Sequence, residues 1–327
     1  MINSVRNTVL AVLNKNNYGY ISPSDFNLYA KQAQMEFYDE YYNSYNKVIN
    51  GENARVSGTD YADVRKTIME VMESFLVTDS LSPFDPDSTD VCRNRFYIPS
   101  LTTTGNEAYM INTVVCYPNV ITDGTVDSVQ TNSLIDSTAS FIGSVNPGDI
   151  VVNWDTLQIA TVYTIVSDTE LLISADIFPQ TNDSYYIISA QSYKEAEKIN
   201  AAKIAILNSS NLTAPSSIFP AYTLEGQILQ VYPISSTFTI GKLGQLQAQY
   251  FRYPKEPKWT YVTLTGGEPV FDQSQPDYQD FELPQEDEYK LVVKILEYCG
   301  VSIRETEVVQ FGMAQEQHEQ PTFSQKQ

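Results

Sequence analysis

Chemistry in this chain would have to be built mainly from carboxylates. The 327 residues carry 40 Asp and Glu against 20 Lys and Arg, and one histidine, His318. A single histidine in a polar C-terminal stretch argues against a Ser-His-Asp or Cys-His nucleophile system and against a histidine-based metal site. Cys92, Cys116 and Cys299 lie far apart with no CxxC spacing. Neither a zinc site nor a disulfide framework is therefore expected, and free thiols made in a reducing cytosol are. No GxxxxGK[ST] and no GxGxxG in a strand–turn–helix context supports nucleotide binding. Two carboxylates could run glycoside hydrolysis, but nothing among 40 acids selects a pair. The expectation is no catalytic, cofactor-binding or metal residue, and no enzyme.

Four groups have spacing that invites a closer reading. Residues 14–26 resemble a calcium loop, with Asn14, Asn16 and Tyr18 at positions one, three and five, Gly19 at six, Ile21 at eight and Asp25 at twelve. A working loop needs early carboxylates and a bidentate Glu at twelve. The structural alternative is a tight turn at Gly19, with Ser22 capping a helix that has Pro23 at its first position and Asp25 at its third. Asp149, Asp155, Asp168, Asp176 and Asp183 fall mostly at strand ends, where they could ligate a cation or bond local backbone N–H groups as turn formers. Arg252, Lys255 and Lys258 interleave with Tyr250, Tyr253, Trp259 and Tyr261, which could stack on nucleic acid or dock on an acidic neighbour. Glu286, Asp287 and Glu288 could be catalytic, or a solvated helix start favoured by the macrodipole.

The elements that must position these groups follow from periodicity. Residues 3–15 read as an amphipathic helix through Val5, Val9, Val12 and Leu13. Residues 23–46 read as a second, with Phe26, Ala30, Ala33, Phe37 and Tyr41 on one face, and residues 51–58 as a polar loop. A third spans 60–76, with Val64, Ile68, Val71, Met72 and Phe75 inward. Residues 83–90 are a turn-rich linker. Strands are predicted at 96–98 and 108–117, then a β-rich stretch at 125–190 launched in part by the Pro147-Gly148 turn. Its strands at 149–154, 157–166, 170–178 and 184–189 favour a small antiparallel barrel, with Ile159, Thr161, Tyr163 and Ile165 on one face. Residues 193–209 read as a helix, then strands at 224–232, 238–240 and 246–253. A helix at 284–299 has Leu291, Val292, Ile295 and Leu296 inward and ends at Gly300. Ser302 and Glu305 suggest a capping box for a last helix to about 317.

The fold class is thus α+β: an N-terminal helical region (1–82), a linker and first core strands (83–124), an inserted small β-barrel (125–190), a helix and antiparallel β core (191–283), and C-terminal helices with a polar tail (284–327). Net charge is −20, with pI near 4.3, which opposes gripping a phosphate backbone. No Lys or Arg occurs between Arg95 and Lys194, and the 23 Tyr suit protein–protein contact or simply fill strands. No secretory signal and no membrane span are expected, so the sequons at Asn182, Asn208 and Asn211 are expected to be unused.

The stretches NKNNYGYISPSDFNLYAKQAQ (14–34), PGDIVVN (147–153), SDTELLISADIF (167–178), YFRYPKEPKWTY (250–261) and DEYKLVVKILEYCGVSIRE (287–305) resemble structural proteins of tailed bacteriophages. The resemblance is strongest to neck or tail ring proteins of the crAss-like podoviruses that infect gut Bacteroidota. It implies a homo-oligomeric ring, twelve-fold, in the head-to-tail connector or tail of the virion, made in the host cytoplasm. Its partners would be copies of itself, the portal or adjacent ring and tail proteins, and double-stranded DNA passing through the lumen without specific binding; no membrane is implied. The alternative is a tail-associated module whose barrel binds a receptor or glycan, with Trp154 as the candidate aromatic.

Overall fold

A computed structural model describes residues 1–15, 21–53, 63–84, 94–234, 240–264 and 266–303. The fold is α+β. In chain order come helices α1 (Ile2–Lys15), α2 (Pro23–Asn53) and α3 (Asp63–Glu73), then strands β1 (Leu76–Ser80), β2 (Arg95–Tyr97), β3 (Ala108–Cys116), β4 (Val120–Thr125), β5 (Ser133–Ile135), β6 (Ile150–Asn153), β7 (Gln158–Ser167), β8 (Glu170–Ile173), β9 (Ser184–Ile188) and β10 (Lys194–Lys198). Helix α4 (Ala201–Asn208) precedes β11 (Ala221–Glu225), β12 (Ile228–Tyr232), β13 (Leu246–Arg252), β14 (Tyr261–Thr263) and β15 (Pro269–Phe271). A 3₁₀ turn at Gln285–Asp287 leads into α5 (Glu288–Ile303). The chain divides into two compact units, Leu76–Tyr253 and the flanking Met1–Phe75 with Pro254–Gln327.

In the flanking unit the helical periodicity is realised except at Val12 of α1, which is exposed. Ile2, Val5, Val9 and Leu13 of α1, Phe26, Ala30 and Ala33 of α2, and Leu291, Val292, Ile295 and Leu296 of α5 share one core with Trp259. Ser22 caps α2 as expected: its Oγ accepts the Asp25 N–H at 3.2 Å and donates to the Asp25 carboxylate at 2.6 Å. That reciprocal pair satisfies one otherwise orphaned helix-end donor. Three boundaries differ from expectation. Helix α2 runs on through the start of the polar loop read at 51–58, α3 stops before Leu76, and α5 continues past Gly300. Gly300 is buried within α5. Ser302 lies within α5 rather than capping a new helix, and Glu305 onward lies outside the described residues.

The other unit holds two antiparallel-rich sheets. The core sheet has strand order β1-β13-β3-β10-β11-β12-β2, with one parallel pair, β10 and β11. The second, order β4-β9-β6-β7-β8-β5, curls into a half-barrel. Among the described residues no ladder joins its edge strands; one bond, from the Asp127 N–H to the Ile135 carbonyl at 2.9 Å, spans the gap. This sheet lies wholly between β3 and β10, which pair directly, Cys116 opposite Lys194. The insertion therefore opens at β4, ahead of residue 125.

Residues 194–198 are strand, not the start of a helix, because β3 and β11 flank them and bury Ala196. Helix α4 begins only after Asn200, whose side chain accepts the Ala202 N–H. The run at 224–232 is a hairpin, turned at Gly226 with φ +62°. Bulges in β7 between Val162 and Thr164 and between Ile165 and Ser167 break the expected face: Tyr163 points to solvent while Ile165 packs inward. The strand read at 238–240 lies outside the described residues but for Ile240, which is not in a strand.

Strand β6 is buried on both sides, which explains its unbroken apolar run. Val151 faces the half-barrel core of Leu134, Phe141, Leu171 and Ile187. Ile150 and Val152 pack instead with Tyr186, Ile188 and Leu243. Gly244, at φ +81°, backs this second cluster, and a Cβ there would sit 3.1 Å from Val152 Cγ2 and 3.2 Å from Ile188 Cδ1. Gly244→Ala is expected to cost about 2–4 kcal/mol, combining left-handed backbone strain with overpacking. Urea unfolding checks it; an unchanged midpoint would refute the packing argument.

Candidate functional site

The strand-end aspartates of the half-barrel act mostly as turn formers. Asp149 is fully buried, and its carboxylate accepts the Asn146 N–H at 2.7 Å and the Ala190 N–H at 2.9 Å. Gly148, at φ +94°, turns the chain so that Asp149 can reach back. Asp155 accepts the Ser184 N–H at 2.6 Å and Asp168 the Ile142 N–H at 3.1 Å. Asp183 accepts the Asn153 side-chain amide at 3.0 Å and the Gln180 N–H at 3.3 Å. Asp176 is exposed. No set of three or more His, Cys, Asp or Glu among the described residues is placed to hold a metal.

A second role for carboxylates was not visible in sequence. Tyrosine hydroxyls donate to Asp136 from Tyr185 at 2.7 Å, to Asp79 from Tyr250 at 2.6 Å, to Asp287 from Tyr41 at 2.6 Å, and to Glu36 from Tyr298. Where acids outnumber bases two to one, neutral phenols supply donors that cations would otherwise provide. Burial, reinforced by the neighbouring carboxylates, raises these phenols above the ordinary tyrosine value. Gly124 makes the first pair possible, since a Cβ there would lie 2.5 Å from the Asp136 carboxylate and 2.9 Å from the Tyr185 hydroxyl. Asp287 corrects the reading of a solvated helix start: it is buried, bonded to Tyr41 and ion-paired with Lys290.

The interleaved bases and aromatics are also used internally. Trp259 is buried beneath the Arg6 guanidinium, 3.8 Å from the ring centroid, and stacks with Tyr261 and Phe271. Lys258 pairs with Asp277, Tyr250 is buried, and Tyr253 packs edge-on against Tyr109. Asn14 lies in α1 and Ile21 and Asp25 are described, but residues 16–20 of the calcium-like loop lie outside the described residues, as do 85–90 of the linker, Cys92 and His318. Cys116 and Cys299 are buried, and burial pushes each thiol up to about 12.

The remaining candidate is the outer surface of the half-barrel. Residues 120–188 contain nine Asp and Glu and no Lys or Arg. Asp123, Asp127, Asp155, Asp168 and Asp176 are exposed. Hydrogen bonds from Ser137 hold Asp127 below the ordinary carboxylate value, so it stays ionised. The surface can repel polyanions and attract bases. Its exposed aromatic is Tyr163, 73% accessible, whereas Trp154 is partly buried against Tyr186. An open cleft of about 310 Å³ lined by Thr78, Asp79, Ser80, Thr103, Thr104, Ile159 and Gln247 carries one carboxylate, already engaged by Tyr250. No protein-family model matches the chain, and no curated protein matches it in sequence. No helix among the described residues is long and apolar enough to cross a membrane.

Proposed function

We propose that this chain is a structural virion protein of a tailed bacteriophage. In this reading it forms a homo-oligomeric ring, twelve-fold being the symmetry implied by the resemblance above, in the head-to-tail connector or tail around the channel for the genome. The observation that carries the reading is the base-free half-barrel, a folded module whose ionised surface groups are all carboxylates. Such a surface along a channel repels the phosphate backbone and leaves DNA free to slide, because it offers no cation for counterion release. The part is architectural, and its neighbours are the portal or adjacent ring and tail proteins. Virion-derived material should contain the chain in rings with an opening wide enough for duplex DNA, and the rings should not retain DNA even at low salt. A clean monomer in virion-derived material, judged by mass photometry, would overturn the reading.

Exposed Tyr163 favours a second reading, a tail-associated module that binds a receptor or glycan. It requires saturable binding of the full chain to host capsule, lost in Tyr163→Ala.

A further inference from the structure

The strongest unabsorbed feature is the crossover between the parallel strands β10 and β11. Its helix and loop present Ile206, Leu212, Ile218 and Phe219 to solvent, with Leu212 94% and Phe219 77% accessible. Isolated exposed apolar residues need no explanation, but here four fall within fourteen positions of one connection. The same segment is inverted in charge relative to the chain: no Asp or Glu occurs from Lys198 to Leu224, and Lys198 and Lys203 are both exposed. In a protein of net charge −20 such a stretch is the electrostatic complement of the base-free half-barrel. That half-barrel also exposes Ile142, Leu157, Tyr163 and Val166 among its aspartates.

We infer that the α4 crossover docks on the half-barrel of a second copy of this chain, its apolar residues against the exposed apolar groups of the turns and of β7, Lys198 and Lys203 against the exposed aspartates. The two surfaces differ, so the contact is heterologous, and repetition of such a contact through a closing rotation makes a ring. The charges set partner choice and register, and the apolar groups supply the desolvated centre. The inference rests on the ring reading and names the surfaces that would join its subunits.

A charge-swap experiment on the full chain tests it, read by mass photometry with circular dichroism as the check on folding. Wild type is expected as multi-subunit assemblies. Leu212→Asp with Phe219→Asp should raise the concentration needed for assembly by about tenfold or more. Lys198→Glu with Lys203→Glu, and separately Asp123→Lys with Asp176→Lys, should each leave folded monomers. Mixing those two variants should restore assembly, because each then meets a complementary neighbour and the two alternate around the ring. Wild-type assemblies with unaffected variants would overturn this contact and leave the ring reading standing. Folded charge variants that stay monomeric when mixed would overturn the pairing. Wild type that is monomeric at every concentration would overturn both. If the apolar pair of substitutions prevents folding, the charge swap alone decides.

Discussion

Raising the pH above about 10 is expected to unfold the Leu76–Tyr253 unit cooperatively. Tyr185, Tyr186, Tyr222 and Tyr250 are buried there, and burial raises all four from the ordinary value of 10.0, Tyr250 to about 12. Cys116 adds to them, raised from 9.0 to about 12. A raised value means that the folded state keeps its proton where the unfolded chain has lost it. The stability contributed is complete below the unfolded value and is lost as pH climbs through the folded one. Each such group weakens folding by about 1.4 kcal/mol per pH unit in that window. Four tyrosines acting together would cancel a typical domain stability of about 5–15 kcal/mol within one to three units. Circular dichroism should change in one step, the share of the tyrosinate absorbance that belongs to the buried phenols should appear in that same step, and Tyr186→Phe should move it upward. Complete tyrosine ionisation with unchanged circular dichroism would show that these phenols are not protected by the fold.

Asp149→Ala should be the most damaging single substitution in the half-barrel, at about 3–5 kcal/mol. Its buried carboxylate takes two backbone N–H groups at once, Asn146 in the turn before β6 and Ala190 just after β9. Removal leaves two donors without an acceptor next to a packed core, and bonds to a charged acceptor are the stronger kind. Asp149→Asn keeps one acceptor oxygen and should cost roughly half as much. Chemical denaturation of the three proteins orders them. Equal stability of the alanine and wild-type forms would mean that solvent replaces the carboxylate, and that the turn is not closed as described.

Much of the helical part was legible because its core stripe is complete: Val5 and Val9, Phe26 and Ala30, Leu291 and Ile295 recur at helical spacing and are buried. Strand β10 was not legible. Lys-Glu-Ala-Glu-Lys is a helix-forming string, and only pairing with β3 and β11 on either side makes it a strand. Strand β7 lost its phase at two bulges, which shift the inward face without any mark in composition. Among the acids, a place at a strand end marked Asp149 as a possible turn former, but its second donor lies 41 residues away. The Tyr41–Asp287 pair spans 246 residues, so the acid triplet at 286–288 looked like an ordinary exposed helix start. Trp154 was the apparent exposed aromatic; packing reversed its standing with Tyr163.

The direct pairing of Cys116 with Lys194 also bears on how such a chain can change over time. Departure and return points for the half-barrel are one ladder spacing apart, about 5 Å. To the core sheet, everything between them is equivalent to a long hairpin turn. Lineages could therefore exchange that cassette for another, or shorten it to a few residues, without rethreading a strand. Any replacement must still seat itself against Lys242, Leu243 and the glycine that follows them.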